Sequence, residues 1–175
     1  MCPDSNIQLA DCWAKTDPAT GKPALTVRDH CLIVGAVAEA LLRVLPPACK
    51  LIAPDGTATL AAAHDIGKIT PGFQSKARPH WEFAGALGCD FYEGNHAKVS
   101  QAYLGTREGS LAFDWVLAAG GHHGKYPSSC GRLPRVNEGG LEWPILLRNE
   151  LLQELVAVFG SLPRKNIPKG VLERV

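Results

Sequence analysis

Imidazoles set at helical spacing constrain this chain more than any other feature. It has six histidines, at 30, 64, 80, 96, 122 and 123. Apart from His80, four of them lie on or close to the inward stripe of an expected helix, and His123 adjoins one of these. Thr26 can cap a first helix to about Leu45, where a Pro-Pro pair ends it. Its expected inward stripe is Val27, His30/Cys31, Val34, Val37/Ala38, Leu41 and Leu45. "PDGT" (54–57) is a turn, and a second helix is expected to about Lys68 with Leu60, His64 and Lys68 on one face. "TPGFQSKA" (70–77) opens a short third helix. Another begins near Asn95 and aligns His96, Val99 and Tyr103. Ser110 caps a further one, aligning Leu111, Trp115, Ala118 and His122. Residues 124–140, rich in Gly, Pro and Ser, form a loop. Pro144 suits the first turn of a last long helix to about Phe159, with Ile145, Leu152, Val156 and Phe159 inward. No strand-like alternation of useful length and no internal repeat appears. The expected class is therefore all-α, with residues 1–175 forming one domain around one core.

A single inward histidine is ordinarily a hydrogen-bonded core residue. Five together, beside an aspartate, ask for more. Each polar nitrogen buried without a partner costs ~1–3 kcal/mol, and a bound cation satisfies them together. Histidine with carboxylate and no cysteine suits Mn, Fe, Co, Ni or Zn in an open, catalytic site. The back-to-back pair in "LAAAHDIGKITPGFQ" (60–74) fits that reading. Adjacent helical residues diverge by about 100°. His64 can therefore hold one ion while the two-oxygen carboxylate of Asp65 bridges to a second. Two ions ~3.5–4 Å apart suit phosphodiester hydrolysis. Lys68 can add positive charge where a phosphate gains negative charge.

Bulk properties exclude several other classes. Net charge is +1, so nucleic-acid binding cannot be inferred from overall charge. The longest apolar run, "CLIVGAVAEALL", has 12 residues and contains a glutamate, too short to span a bilayer. "MCPDSNIQLADC" is polar and acidic, unlike a signal peptide, and a cytoplasmic location is expected. The six cysteines form no CxxC pair, so free or buried thiols are expected rather than a cysteine zinc site. "GGHHGKY" fails the phosphate-loop spacing. The basic residues Lys125, Arg132 and Arg135, with Tyr126, can guide a nucleic-acid strand. Trp13 and Lys15 can seat the N-terminal segment.

The ordered set "H30 … H64-D65-IGK … H96 … H122-H123-G" resembles the HD phosphohydrolase superfamily. With "WAKT" (13–16), "HDIGKITPGFQ", "NHAKVS" (95–100) and "GGHHGK" (120–125), it resembles more narrowly the HD nuclease domain of the type I CRISPR effector nuclease-helicase, over about residues 10–130. That resemblance implies a helical bundle binding two transition-metal ions. It implies cutting of single-stranded DNA fed by a helicase domain or subunit, after recruitment by the CRISPR surveillance complex, with no membrane partner. His30 and His64 would hold the first ion, Asp65 would bridge, and His96, His122 and His123 would hold the second. Lys68 matches the family lysine beside the site, and His80 has no counterpart.

One feature departs from the family pattern, which ends on a further aspartate completing the first ion's shell. Here the last aspartate is Asp114, upstream of His122. Glu142, Glu150 and Glu154 follow, without the context of that motif. The expectation is a domain truncated or split from its helicase, holding one ion at the second site. The alternatives are an HD phosphohydrolase of nucleotides or cyclic nucleotides, and a catalytically weak binding module.

Overall fold

The computed structural model describes residues 7–47, 49, 52–77, 93–106, 112–125 and 132–164. After a 3-10 turn at Leu9–Asp11, Asp17 opens the turn of a two-stranded ribbon. Its carboxylate accepts from the amides of Ala19 (2.9 Å) and Thr20 (2.8 Å), and Gly21 takes the left-handed φ of 68° that the turn requires. The flanking segments pair antiparallel as a ribbon, β1 (Trp13–Thr16) with β2 (Pro23–Thr26). Trp13 lies opposite Thr26 and Thr16 opposite Pro23, with irregularities between. Each strand has four residues, too few to leave an alternating signature. The all-α expectation stands with this ribbon as its one addition among the described residues.

Thr26 caps α1 (Val27–Val44) as expected, its hydroxyl accepting from the Asp29 amide at 3.0 Å. The inward stripe is different. Val27, Cys31 and Gly35 are buried, whereas Val37 and Leu41 are 54% and 57% exposed. Gly35 explains the rotation. A Cβ there would lie 2.4 Å from the Phe159 ring, so the last helix packs on the glycine and draws that stripe inward.

The second helix also departs from expectation. α2 spans Thr57–Ala63, His64 and Asp65 form a turn, and Ile66–Lys68 is a 3-10 turn. Gly67 is the physical reason: its backbone presses against the next helix, where a Cβ would meet the His96 carbonyl oxygen at 2.1 Å. A regular helix with ordinary side chains could not come so near. The short α3 (Pro71–Gln74) and a 3-10 turn at Ser75–Ala77 follow.

α4 (His96–Gly105) begins at Asn95, whose side chain accepts from the Lys98 amide, and Val99 and Tyr103 are buried on it. α5 (Phe113–Gly120) buries Trp115, Val116, Ala119 and Gly120, while Ala118 is exposed. Its described start follows Ala112; Ser110 and Leu111 lie outside the described residues. α6 (Trp143–Phe159) has Pro144 in its first turn but buries Leu147, Arg148, Leu151 and Leu155 rather than Ile145 and Val156, which are exposed. Arg148 explains that error. It is a charged side chain turned inward, donating to Pro144 O at 3.0 Å and paired with Glu138. A hydrophobic pattern cannot assign it.

Val27, Cys31, Leu60, Ile66, Ile69, Leu104, Leu151 and Leu155 join in one apolar core shared by α1, α2, α4 and α6. Cys12, Cys31 and Cys49 are free thiols, as expected, and burial pushes Cys12 up to about 12. Among the described residues, no helix is long and apolar enough to cross a membrane.

Candidate metal centre

Helix ends build the centre. His30 projects from the first turns of α1, and His64 follows the last residue of α2. His96 opens α4, and His122 and His123 lie in the turn after α5. The last carbonyls of a helix lack intrahelical partners. Here two of them accept from histidine rings. His64 Nδ1 lies 2.7 Å from Ala61 O and His122 Nδ1 lies 2.6 Å from Ala119 O, each ring reaching back three residues. A carbonyl only accepts, so each Nδ1 donates its proton outward and each ring turns its Nε2 inward.

Asp65 stands where those nitrogens converge, and it is buried. Its Oδ2 lies 2.8 Å from His30 Nε2, 3.1 Å from His64 Nε2 and 2.7 Å from Lys68 Nζ. Its Oδ1 lies 3.1 Å from His96 Nε2 and 3.4 Å from His122 Nε2, yet has no hydrogen-bond partner. His123 Nε2 approaches His96 Nε2 to 2.8 Å. One carboxylate thus faces a histidine pair on one oxygen and a histidine cluster on the other. His30, His64 and Asp65 form one group able to hold a metal ion, and His96, His122 and His123 form another. The residues fit a divalent transition metal. Nitrogen and oxygen donors converge without thiolate, and the orphaned Oδ1 lies where a cation would satisfy it.

Electrostatics agree with that geometry. Burial alone would raise the Asp65 carboxyl, but the imidazoles of His122, His30, His64 and His96 gathered beside it outweigh burial and hold it far below the carboxylate range. Burial draws His96 below its ordinary value, against the pull of Asp65. His122 is raised: burial opposes the charge, but Asp65 and the Ala119 carbonyl together favour it. His123, the exposed member, is lowered by burial and by its charged neighbour His122.

Lys68 does not stand one helical turn beyond His64 with a free ammonium. It is buried in the 3-10 turn, 2.7 Å from Asp65 Oδ2 and 3.2 Å from Ala14 O. Burial lowers its pKa while Asp65 opposes that shift. Glu154 is engaged by Arg28 (Nε–Oε2 2.9 Å), and neither it nor Glu142 or Glu150 belongs to either ligand group. Lys125, two residues past His123, is exposed, as are Arg132 and Arg135. The segment carrying these arginines runs along α4. Leu133 packs on Gly105 at one end, and Asn137 O accepts from Glu93 N (3.0 Å) at the other. Tyr126 and His80 lie outside the described residues.

Sequence reasoning missed the carbonyls of Ala61, Ala119 and Ala14. A signal existed for the first two: each helix has an alanine in its last turn three residues before a histidine, in "AAAH" and "AGGH". Gln74 of "PGFQ" was also missed, and it is fully buried beside the centre.

The model of the family described as "Cas3, HD domain" matches residues 13–171. No curated protein and no solved structure matches the chain significantly.

Proposed function

The chain belongs to the Cas3 HD-domain family, and from that membership we propose that it is a metal-dependent nuclease of CRISPR interference that cuts single-stranded DNA. The observation that carries the reading is the buried Asp65 carboxylate with histidine nitrogens around both oxygens and no hydrogen-bond partner for Oδ1. His96, His122 and His123 with Asp65 would hold the ion, and His30, His64 and the same carboxylate would offer a weaker second position. A divalent ion bound there supplies a hydroxide nucleophile near neutral pH and positive charge for the phosphoryl oxygens.

The chain's own residues prepare that site. Ala61 O and Ala119 O fix the tautomer and direction of His64 and His122. Lys68 keeps Asp65 Oδ2 in place and offsets its charge. The exposed His123 marks the side open to substrate, and Lys125, Arg132 and Arg135 provide phosphate contacts along the approach. Helicase and surveillance complex would deliver the strand.

A flexible single strand can present its phosphate to a recessed carboxylate more readily than a stacked duplex. A substrate panel tests this. With Mn²⁺ and no ATP, the chain is expected to degrade a single-stranded oligonucleotide, to cut its duplex poorly and to leave nucleotides and cyclic nucleotides intact. Rapid turnover of a cyclic nucleotide with an intact oligonucleotide would favour a small-molecule phosphohydrolase instead.

A further inference from the structure

Gln74 is fully buried, and its side-chain amide is spent on one neighbour and one turn. Its Oε1 accepts from the Trp13 amide at 3.0 Å. Its Nε2 donates to Trp13 O at 3.0 Å and to Lys68 O at 2.7 Å. The Trp13 indole closes the arrangement from the other side, donating from Nε1 to Gln74 O at 3.0 Å. Strand β1 is thus fastened to the 3-10 turn that carries Lys68. The next residue of the strand, Ala14, offers the carbonyl that holds the Lys68 ammonium 2.7 Å from Asp65 Oδ2. A second path leads the same way. The Trp13 ring stacks on Phe73 (centroids 4.7 Å, 29°), and Phe73 meets His96 edge-on at 5.2 Å.

We propose that Gln74 is a positioning residue of the centre: by clamping Trp13 it sets the Ala14 carbonyl, and through Lys68 it fixes which way the Asp65 carboxylate faces. Oδ2 is held by Lys68 on the His30 and His64 side, which leaves Oδ1 turned to His96 and His122. Without the clamp, β1 can draw away, Lys68 loses one of its two oxygen partners, and the carboxylate is free to rotate. Packing alone does not demand glutamine here. A buried amide with both hydrogens and its oxygen engaged specifies orientation, because no apolar residue of similar size reproduces those three bonds.

The inference rests on the metal reading of the centre, and the test separates the two. The full chain, Gln74→Ala, Trp13→Phe and Leu151→Ala are titrated with Co²⁺, following heat of binding and the visible absorption of the bound ion, with circular dichroism reporting the fold. Leu151 lies in the apolar core on α6 and serves as a variant that loses stability without touching the clamp. Gln74→Ala is expected to bind Co²⁺ ~10–100-fold more weakly, the usual cost of losing a group that orients a ligand, with an altered spectrum. Leu151→Ala is expected to keep the affinity and spectrum of the unsubstituted chain. Trp13→Phe keeps an aromatic ring beside Phe73 and deletes the indole donor, for a loss of about 2–10-fold, the worth of one neutral hydrogen bond. A folded Gln74→Ala with unchanged affinity and spectrum would overturn the proposal, as would an equal loss in Leu151→Ala. Should Gln74→Ala not fold, Trp13→Phe decides, and an unchanged titration there overturns it. Failure of the unsubstituted chain to bind Co²⁺ would instead defeat the metal reading itself.

Discussion

Replacing Gly67 with alanine tests how closely the turn bearing Asp65 must approach the helix bearing His96. A Cβ at this position would lie 2.1 Å from His96 O, 2.5 Å from Ser100 N and 2.8 Å from Ser100 Oγ. The first two are backbone atoms of α4 and cannot rotate away. The Gly67 amide also donates to Ser100 Oγ at 2.9 Å, which pins the turn against the helix. Non-bonded carbon contacts settle at about 3.5–4.0 Å, so the two elements must part by roughly 1.5 Å. Overpacking of this kind costs about 1–3 kcal/mol, and weakening the buried hydrogen bond adds about 1 kcal/mol. Stability in a urea titration is therefore expected to fall by about 2–4 kcal/mol. The centre suffers separately. Asp65 rides on the turn and His96 on the helix, so their 3.1 Å approach opens too. Metal–ligand distances tolerate only about ±0.2 Å, and Mn²⁺ affinity is expected to drop at least ~10-fold. A Gly67→Ala chain within ~0.5 kcal/mol of the unsubstituted protein and with equal Mn²⁺ affinity would refute the close-approach reasoning.

Three further outcomes are expected. Calorimetric titration of this chain with Mn²⁺ should give one ion, at His96, His122, His123 and Asp65. Among the described residues the other group offers only His30, His64 and a share of the same carboxylate, while Glu154 is held by Arg28. Two equally strong sites would contradict this. Metal affinity should also fall on acidification below about 6.5, the ordinary histidine value, because each ligand must shed its proton. The metal-free fold should respond in two directions. His96 and His123 have lowered values, so the unfolded chain binds more protons there and their contribution to stability falls as pH drops through 6.5. His122 is raised, so its contribution is present below 6.5 and is lost as pH rises through its folded value. Affinity measured by calorimetry from pH 5.5 to 8 checks the first effect, and urea titrations without metal check the second.

The parts of this molecule legible in the sequence were those fixed by local chemistry. The Thr26 and Asn95 caps, Pro144 and the Pro71 break each mark a helix start through a neighbouring backbone group, and all four stand where expected. The candidate ligands were legible because five imidazoles need a common partner, and His30, His64, His96, His122 and His123 do gather around Asp65. Helix faces were less legible. Gly35 and Arg148 point inward for reasons set by distant partners, Phe159 and Glu138, which no periodicity reports. The end of α2 was missed for the same reason, since Gly67 answers to the approach of α4. Lys68 was read as a charge for the substrate because nothing near it in the chain foretells the Ala14 carbonyl, 54 residues away.

The central claim is that Asp65 joins two histidine groups into one metal-dependent cutting site. Cleavage of a labelled single-stranded oligonucleotide with Mn²⁺, by the unsubstituted chain and by Asp65→Ala side by side, tests it most directly. Cleavage by the former that chelator abolishes, with the variant at the metal-free background, is the expected result. Cleavage by Asp65→Ala at the unsubstituted rate would contradict the account.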